Sequence, residues 1–100
     1  MQAGKDTDLI EKCLNNDRNA QKALYHQHKV QMYTLAYRIT NNTQDAEDAL
    51  QEGFLNVFKS LSSFQGGAQL STWIHTIIAR AAIKKVKTNV NFEEIEQVNQ

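Results

Sequence analysis

Apolar residues recur at helical spacing through most of the chain, and clusters of polar or flexible residues interrupt them. Asp8 and Glu11 have the spacing of a capping box, which places the start of a helix beside them. The interruptions are Asp6-Thr7-Asp8, Asn15-Asn16-Asp17, Asn41-Asn42-Thr43 and the pair Gly66-Gly67. The pattern predicts an all-α protein, a compact bundle of about four helices near residues 7–15, 17–40, 43–62 and 69–88.

The second predicted helix is the longest and is apolar on two sides. The first face consists of Leu24, His28, Met32, Leu35, Ala36 and Ile39, and the opposite stripe of His26, Val30, Tyr33 and Tyr37. We therefore expect this helix to lie centrally and to be covered on both sides. His26 and His28 point about 200° apart on a helix, so they cannot share a metal ion, and His28 is expected to be a satisfied core histidine.

Length and composition limit the class of protein. One hundred residues suffice for a single domain, and 41% hydrophobic with 22% charged residues is typical of globular chains. A single cysteine, Cys13, excludes an internal disulfide and a multi-cysteine zinc site and suits a reducing compartment. No apolar run approaches the roughly 18 residues of a membrane span, and the first residues lack the apolar core of a signal peptide, so we expect a cytoplasmic protein with no membrane partner.

The sequence contains no residue pattern typical of an enzyme active site. No spacing of His, Cys, Asp or Glu is typical of a metal site, and Cys13 has no evident base. Glu47, Asp48 and Glu52 lack the accompanying pocket residues of an acid–base pair. The sequence therefore predicts neither an enzyme nor a cofactor.

The formal net charge is zero, but the charges are segregated along the chain. Residues 44–53 contain four acids and no base, whereas residues 59–87 contain five bases and no acid. This asymmetry indicates two different partners.

The third predicted helix carries an outward acidic stripe, which consists of Asp45, Asp48, Glu52, Leu55 and Lys59 with Gln51 at its border. Its buried face is formed by Ala46, Leu50, Gly53, Phe54, Val57 and Leu61. A solvated face with acids near the helix N-terminus is one interpretation. An outward leucine among carboxylates favours the other, a protein-binding surface.

The fourth predicted helix carries a cationic stripe, which consists of Trp73, Thr76, Arg80, Lys84 and Lys87 at spacings of 3, 4, 4 and 3. Its inner face is formed by Leu70, Ile74, Ile77, Ile78 and Ala81, with Lys85 near that face. Cations that neutralise phosphates beside a ring that stacks on bases are typical of nucleic-acid binding. A basic helix end that complements the dipole, with Trp73 in the core, is the alternative interpretation.

The segment between these helices, Ser62 to Gln69, combines an aromatic residue, two glycines and small polar groups. It has neither the lysine of a phosphate-binding P-loop nor the preceding strand of a dinucleotide fingerprint. Its composition suits a pocket for one unstacked base or an ordinary helix–helix turn.

The domain bounds follow from the helices and the charges of the last residues. We expect residues 1–88 to form the helical domain. Residues 89–100, which contain Glu93, Glu94 and Glu96, are expected to form an acidic linker or a disordered tail.

Three segments in order resemble region 2 of the extracytoplasmic-function (ECF) sigma factors. They are Asp45-Ala46-Glu47-Asp48-Ala49-Leu50-Gln51-Glu52-Gly53-Phe54, then Ser63-Phe64-Gln65-Gly66-Gly67, then Ser71-Thr72-Trp73-Ile74. The helix start at Asp8-Leu9-Ile10, the Asn16-Asp17 break and Leu24-Tyr25 also fit. The resemblance covers about residues 8–87 and implies a sigma-2 helical domain.

The resemblance also implies partners and residue roles. Core RNA polymerase would be bound through the clamp helices of its largest subunit, and the minus-ten promoter element would be recognised and opened by capture of a flipped base of the non-template strand. An anti-sigma factor is a further implied partner. The residues implied to face the polymerase are Asp45, Asp48, Gln51, Glu52 and Leu55. Those implied to bind DNA are Ser63, Phe64, Gln65, Gly66, Gly67, Trp73, Thr76, Arg80, Lys84 and Lys87.

The chain departs from the family pattern in the fourth helix and in its length. Family members often have a base at the position of Thr76, an asparagine at Arg80 and an acid at Lys84. They also normally continue into a sigma-4 domain with a helix-turn-helix, so this chain resembles an isolated sigma-2 fragment. The competing hypothesis is a purely protein-binding helical module, for instance one that docks an anti-sigma factor, without DNA binding of its own.

Overall fold

The computed structural model describes the backbone of residues 2–64, 66 and 69–98 and the side chains of residues 7–64, 66 and 69–88. In these residues the chain forms four α-helices and no strand. They are α1 (Gln2–Leu14), α2 (Arg18–Thr40), α3 (Thr43–Ser60), which leads into a 3-10 turn (Leu61–Ser63), and α4 (Leu70–Val98). The predicted all-α bundle of about four helices is confirmed.

The polar clusters end and start helices through specific hydrogen bonds. Asp17 caps α2, since its side chain accepts from the backbone N–H groups of Asn19 and Ala20 at 3.0 and 3.2 Å. Asn41 ends α2 in the left-handed conformation, with φ of 57°, and Asn42 caps α3 by accepting from Asp45 N–H at 2.9 Å. The predicted breaks at these two clusters are therefore confirmed.

The predicted start of the first helix is wrong. α1 already begins at Gln2, so Asp8 and Glu11 lie inside the helix and form no capping box. Asp8 instead pairs with Lys12, one turn later, at 3.3 Å. Cap-forming residues mark a helix start only where the preceding backbone leaves the helical conformation, and here it does not.

The fourth helix extends ten residues beyond its predicted end, to Val98. Residues 84–98 contain neither glycine nor proline, and glutamate is a good helix former, so nothing local stops the helix. The division into a domain of residues 1–88 and a linker of residues 89–100 stays a prediction.

The core lies where α2, α3 and α4 pack against one another, with α1 against α2 and the 3-10 turn. The predicted buried face of α3 is confirmed at every position, and that of α4 at every position except half-buried Ile77. The largest fully buried side chains are Leu24, Met32, Val57, Leu61, Leu70, Ile74 and Ile78.

The expectation that α2 is covered on both sides is wrong. Ala20, Leu24, Met32 and Ala36 are buried on one face, and His28 is half-buried there, with Nδ1 2.9 Å from the Leu24 carbonyl oxygen. On the opposite face Val30 is 77% exposed. Of the four residues in the opposite stripe, His26, Val30 and Tyr37 are exposed, and Tyr33 is half-buried against the core.

Helices α3 and α4 approach closely at Gly53. A Cβ atom added at Gly53 would collide with the Ile78 side chain and lie 3.3 Å from the Ile78 Cα atom. Ile78 is fully buried, so its side chain has little room to move. Glycine at this position therefore sets the distance between the two helices.

We expect Gly53→Leu to lower the free energy of unfolding by about 1–3 kcal/mol, the usual cost of overpacking. Urea unfolding followed by circular dichroism measures the change. Asn56→Leu, at an exposed position of the same helix, is the matched control and should stay within about 0.5 kcal/mol of the wild type. Equal stability of the two variants would contradict the close approach.

Candidate functional surfaces

The acidic stripe of α3 lies largely on the surface. Asp48, Gln51 and Glu52 are exposed, and Asp45 is half-buried in the first helical turn, where a carboxylate complements the helix dipole. Leu55, in the middle of the stripe, is 63% exposed. The structure thus places a large apolar side chain outward among acids, as the periodicity predicted.

Leu55 also belongs to an apolar surface that the sequence did not reveal. It lines a shallow cavity of about 340 Å³ between the end of α1 and α3. Leu14, which is exposed, and half-buried Phe58 line the same cavity. The apolar patch therefore continues from the acidic stripe onto α1, across a contact between helices that no local periodicity describes.

The acidic stripe is partly neutralised from within the molecule. Lys85 of α4 donates a hydrogen bond from Nζ to Oε1 of Glu52 at 3.1 Å. This bond raises the pKa of Lys85 above its ordinary value of 10.5, partial burial acts against the increase, and the charges of Glu52, Asp48 and Asp45 add to it. The acidic and basic segments are therefore in contact at one point.

The cationic stripe of α4 is exposed from Thr76 onward. Arg80, Lys84 and Lys87 lie on the surface, and none has an acid within 4 Å among the side chains that the structure describes. Thr76 donates its hydroxyl hydrogen to the carbonyl oxygen of Thr72 at 3.2 Å, so its own helix already uses that hydrogen. Three cations on this stripe remain available to a partner.

Trp73 lies between the core and the surface. It is half-buried, packs against the core, and its ring centroid lies 5.2 Å from that of Phe64 at an interplanar angle of 49°. This contact joins the segment before the glycines to the first turns of α4. Trp73 is thus neither fully buried nor freely exposed.

The predicted base pocket is only partly within the described residues. Ser63 donates a hydrogen bond to the Ser60 carbonyl oxygen at 2.6 Å, and Phe64 is half-buried. Gly66 is exposed with φ of 76°, a conformation that favours glycine. Gln65 and Gly67 lie outside the described residues, so the pocket stays a prediction.

The described residues include no metal site, no activated thiol and no membrane-spanning helix. Those residues include no group of three or more His, Cys, Asp or Glu side chains able to hold a metal ion. Burial, followed by the charge of Asp17, raises the pKa of the Cys13 thiol, which keeps it protonated at neutral pH. Among the described helices, none is long and apolar enough to cross a bilayer.

Residues 24–91 match the Sigma-70 region 2 family, and the chain belongs to that family. Its relatives include ECF RNA polymerase sigma factors. SigM of Mycobacterium tuberculosis (strain H37Rv) is 30% identical over 82 residues, 82% of this chain and 42% of that protein. SigW of Bacillus subtilis (strain 168) is 28% identical over 78 residues, 78% of this chain and 42% of that protein. The predicted family is confirmed.

The fold has a similar solved structure. The NMR structure of an engineered region 2 of sigmaE in complex with GTAAAA superimposes with a TM-score of 0.75 at 25% sequence identity, covering 83% of this chain and 86% of that one. The chain spans less than half the length of SigM and SigW. The similarity to these proteins therefore concerns their region 2.

We expect the Lys85–Glu52 pair to stabilise the fold at neutral pH and to lose this effect in alkali. Because the pKa of Lys85 is raised in the folded state, its contribution is complete below the ordinary value of 10.5 and disappears as the pH rises through the folded value. Lys85→Gln should lower the free energy of unfolding at pH 7 by up to about 1 kcal/mol, as is usual for an exposed pair.

Unfolding of the wild type and of Lys85→Gln between pH 7 and 11.5 measures this difference. Lys84→Gln removes an equivalent charge from the adjacent position, where no ion pair is formed among the described side chains, and is the control. A difference for Lys85→Gln that stays constant above pH 11 would contradict the pairing.

Proposed function

We propose that this chain is the region 2 module of an ECF sigma factor that binds core RNA polymerase and recognises and opens the minus-ten promoter element. The observation that carries the proposal is the presence of two exposed surfaces of opposite charge on the tightly packed helices α3 and α4. Because the helices are held at a fixed distance, a partner on one surface is held in a defined position relative to a partner on the other.

The acidic stripe is the proposed polymerase-binding surface. Asp48, Gln51 and exposed Glu52 surround Leu55, so charge can orient a basic partner while the leucine contributes apolar contact area. Asp45 would complement the same partner from the first turn of α3. In the family, the corresponding partner is the basic coiled coil of the polymerase clamp, and that complementarity supports the proposal.

The segment around Gly66 and the cationic stripe form the proposed DNA-binding surface. Arg80, Lys84 and Lys87 would neutralise phosphates, with Trp73 and Phe64 beside the strand at the start of α4. Residues 63–67 would accept one flipped base, whose contacts recover the few kcal/mol that unstacking costs. The complex of the similar sigmaE region with GTAAAA supports nucleic-acid binding by this fold.

Reversing charge on the acidic stripe should weaken polymerase binding. We expect the double variant Asp48→Lys, Gln51→Lys to bind a clamp fragment of the largest polymerase subunit at least tenfold more weakly, mainly through slower association. Glu47→Lys reverses an exposed acid of the same helix outside the stripe and is the control. Surface plasmon resonance at several salt concentrations measures both, and an unchanged affinity of the double variant would refute the assignment of α3.

Removing cations from α4 should weaken binding of single-stranded minus-ten DNA. Each lost phosphate contact lowers the slope of log affinity against log salt by about 0.7, so Arg80→Ala with Lys84→Ala should lower it by about 1.4. The control is Lys12→Ala with Arg38→Ala, which removes two exposed cations from other surfaces. Fluorescence anisotropy with a labelled non-template strand measures the slopes.

The same experiment distinguishes the competing hypothesis. If the Arg80→Ala, Lys84→Ala variant binds the strand like the wild type while the Asp48→Lys, Gln51→Lys variant no longer binds the clamp fragment, the chain is a protein-binding module only. A preference for the minus-ten strand over its duplex, lost together with the α4 cations, is the result expected for a promoter-opening module.

A further inference from the structure

Helix α2 carries a second cationic surface, distinct from that of α4. Its 23 residues include four lysines and arginines and no acid. The nearest acid in sequence, Asp17, accepts two backbone hydrogen bonds as the cap of the helix. The positive charge of α2 is therefore not balanced within the helix.

Three of these cations lie in line with aromatic rings. We define the α2 stripe as the residues at successive spacings of 4, 4, 3, 4 and 4: Arg18, Lys22, His26, Lys29, Tyr33 and Tyr37. At about 100° per residue the stripe stays within about 100° of arc, and at 1.5 Å per residue it is about 28 Å long. The remaining cation, Arg38, lies on another side of the helix.

The cations of the α2 stripe are on the surface and form no ion pair within the described part of the molecule. Arg18, Lys22 and Lys29 are exposed, and no acid lies within 4 Å of them among the described side chains. Tyr37 is 41% exposed. Tyr33, by contrast, is half-buried against the core, so the buried face of α2 borders the stripe on one side.

The rings of the stripe are held in position by their neighbours. Tyr33 and Tyr37 lie with ring centroids 6.3 Å apart and an interplanar angle of 30°. The ammonium group of Lys29 lies over the ring of Tyr25, which is outside the stripe and packs against the core, 5.5 Å from the ring centroid. The stripe thus carries its three cations around the His26 ring over its first three turns and the two tyrosine rings at its C-terminal end.

We propose that the α2 stripe binds the backbone of single-stranded DNA without sequence preference. Cations one and two helical turns apart suit a row of phosphates, and the exposed rings of His26 and Tyr37 beside them suit stacking on unpaired bases. An acidic protein would use the charges but not the flat faces of the rings. The choice of DNA over RNA rests on the proposed function, because opening a promoter leaves unpaired DNA beside the domain.

The test uses the whole chain and a labelled 20-nucleotide thymidine strand, which carries no minus-ten sequence. We expect Lys22→Gln with Lys29→Gln to weaken binding about three- to tenfold at low salt and to lower the salt slope by about 1.4. Lys12→Gln with Arg38→Gln removes the same charge outside the stripe and should change neither. We expect Tyr37→Leu, which keeps the charge and removes the ring, to weaken binding about fivefold or more.

The outcomes separate this inference from the proposed function. If the Lys22→Gln, Lys29→Gln variant binds the thymidine strand like the wild type, the α2 stripe is not a nucleic-acid site, whatever the α4 variants do. If the α2 variants weaken binding of the thymidine strand while Arg80→Ala with Lys84→Ala binds the minus-ten strand like the wild type, the α2 stripe stands and the proposed DNA-binding role of α4 fails. Stronger binding of a uridine strand would overturn the choice of DNA. Displacement by polyglutamate, together with full affinity of Tyr37→Leu, would indicate an acidic protein instead.

Discussion

The packing of α3 against α4 at Gly53 is the contact on which the arrangement of the surfaces depends. Glycine leaves room for Ile78, which is fully buried against it. The outward faces of the two helices are consequently held at a fixed separation and angle. The proposed function, with a protein on α3 and a nucleic-acid strand on α4, would need this rigidity, because the position of one partner then determines the position of the other.

The charges of the molecule are segregated on its surface although its formal net charge is zero. Acids predominate on α3, and cations predominate on α2 and on α4 as far as Lys87, so these helices present surfaces of different sign. Lys85 and Glu52 join the α3 and α4 surfaces through an ion pair at 3.1 Å. This pair places one cation beside the acids and leaves Arg80, Lys84 and Lys87 exposed for a polyanion.

The exposed face of α2 is where the structure departs most from the sequence pattern. Sequence periodicity alone assigned Val30, Tyr33 and Tyr37 to a second buried face, because apolar residues at helical spacing indicate burial. In the structure Tyr37 and Val30 face solvent while Tyr33 is half-buried, and the exposed cations Arg18, Lys22 and Lys29 become the more informative feature. Tyr37 tolerates this exposed position because its hydroxyl group remains solvated while its ring offers contact area.

The sequence by itself determined the number of helices, the breaks at Asn15-Asn16-Asp17 and Asn41-Asn42-Thr43, most of the buried faces of α3 and α4, the outward position of Leu55 and the family. These features depend on neighbours within one or two helical turns, or on an ordered set of motifs, and both are local properties of a chain. The tertiary structure decided the pairing of Lys85 with Glu52, 33 residues apart, the cavity shared by Leu14 and Leu55, and the exposed side of α2. Periodicity shows that a helix has an apolar face, but only packing determines which faces find a partner.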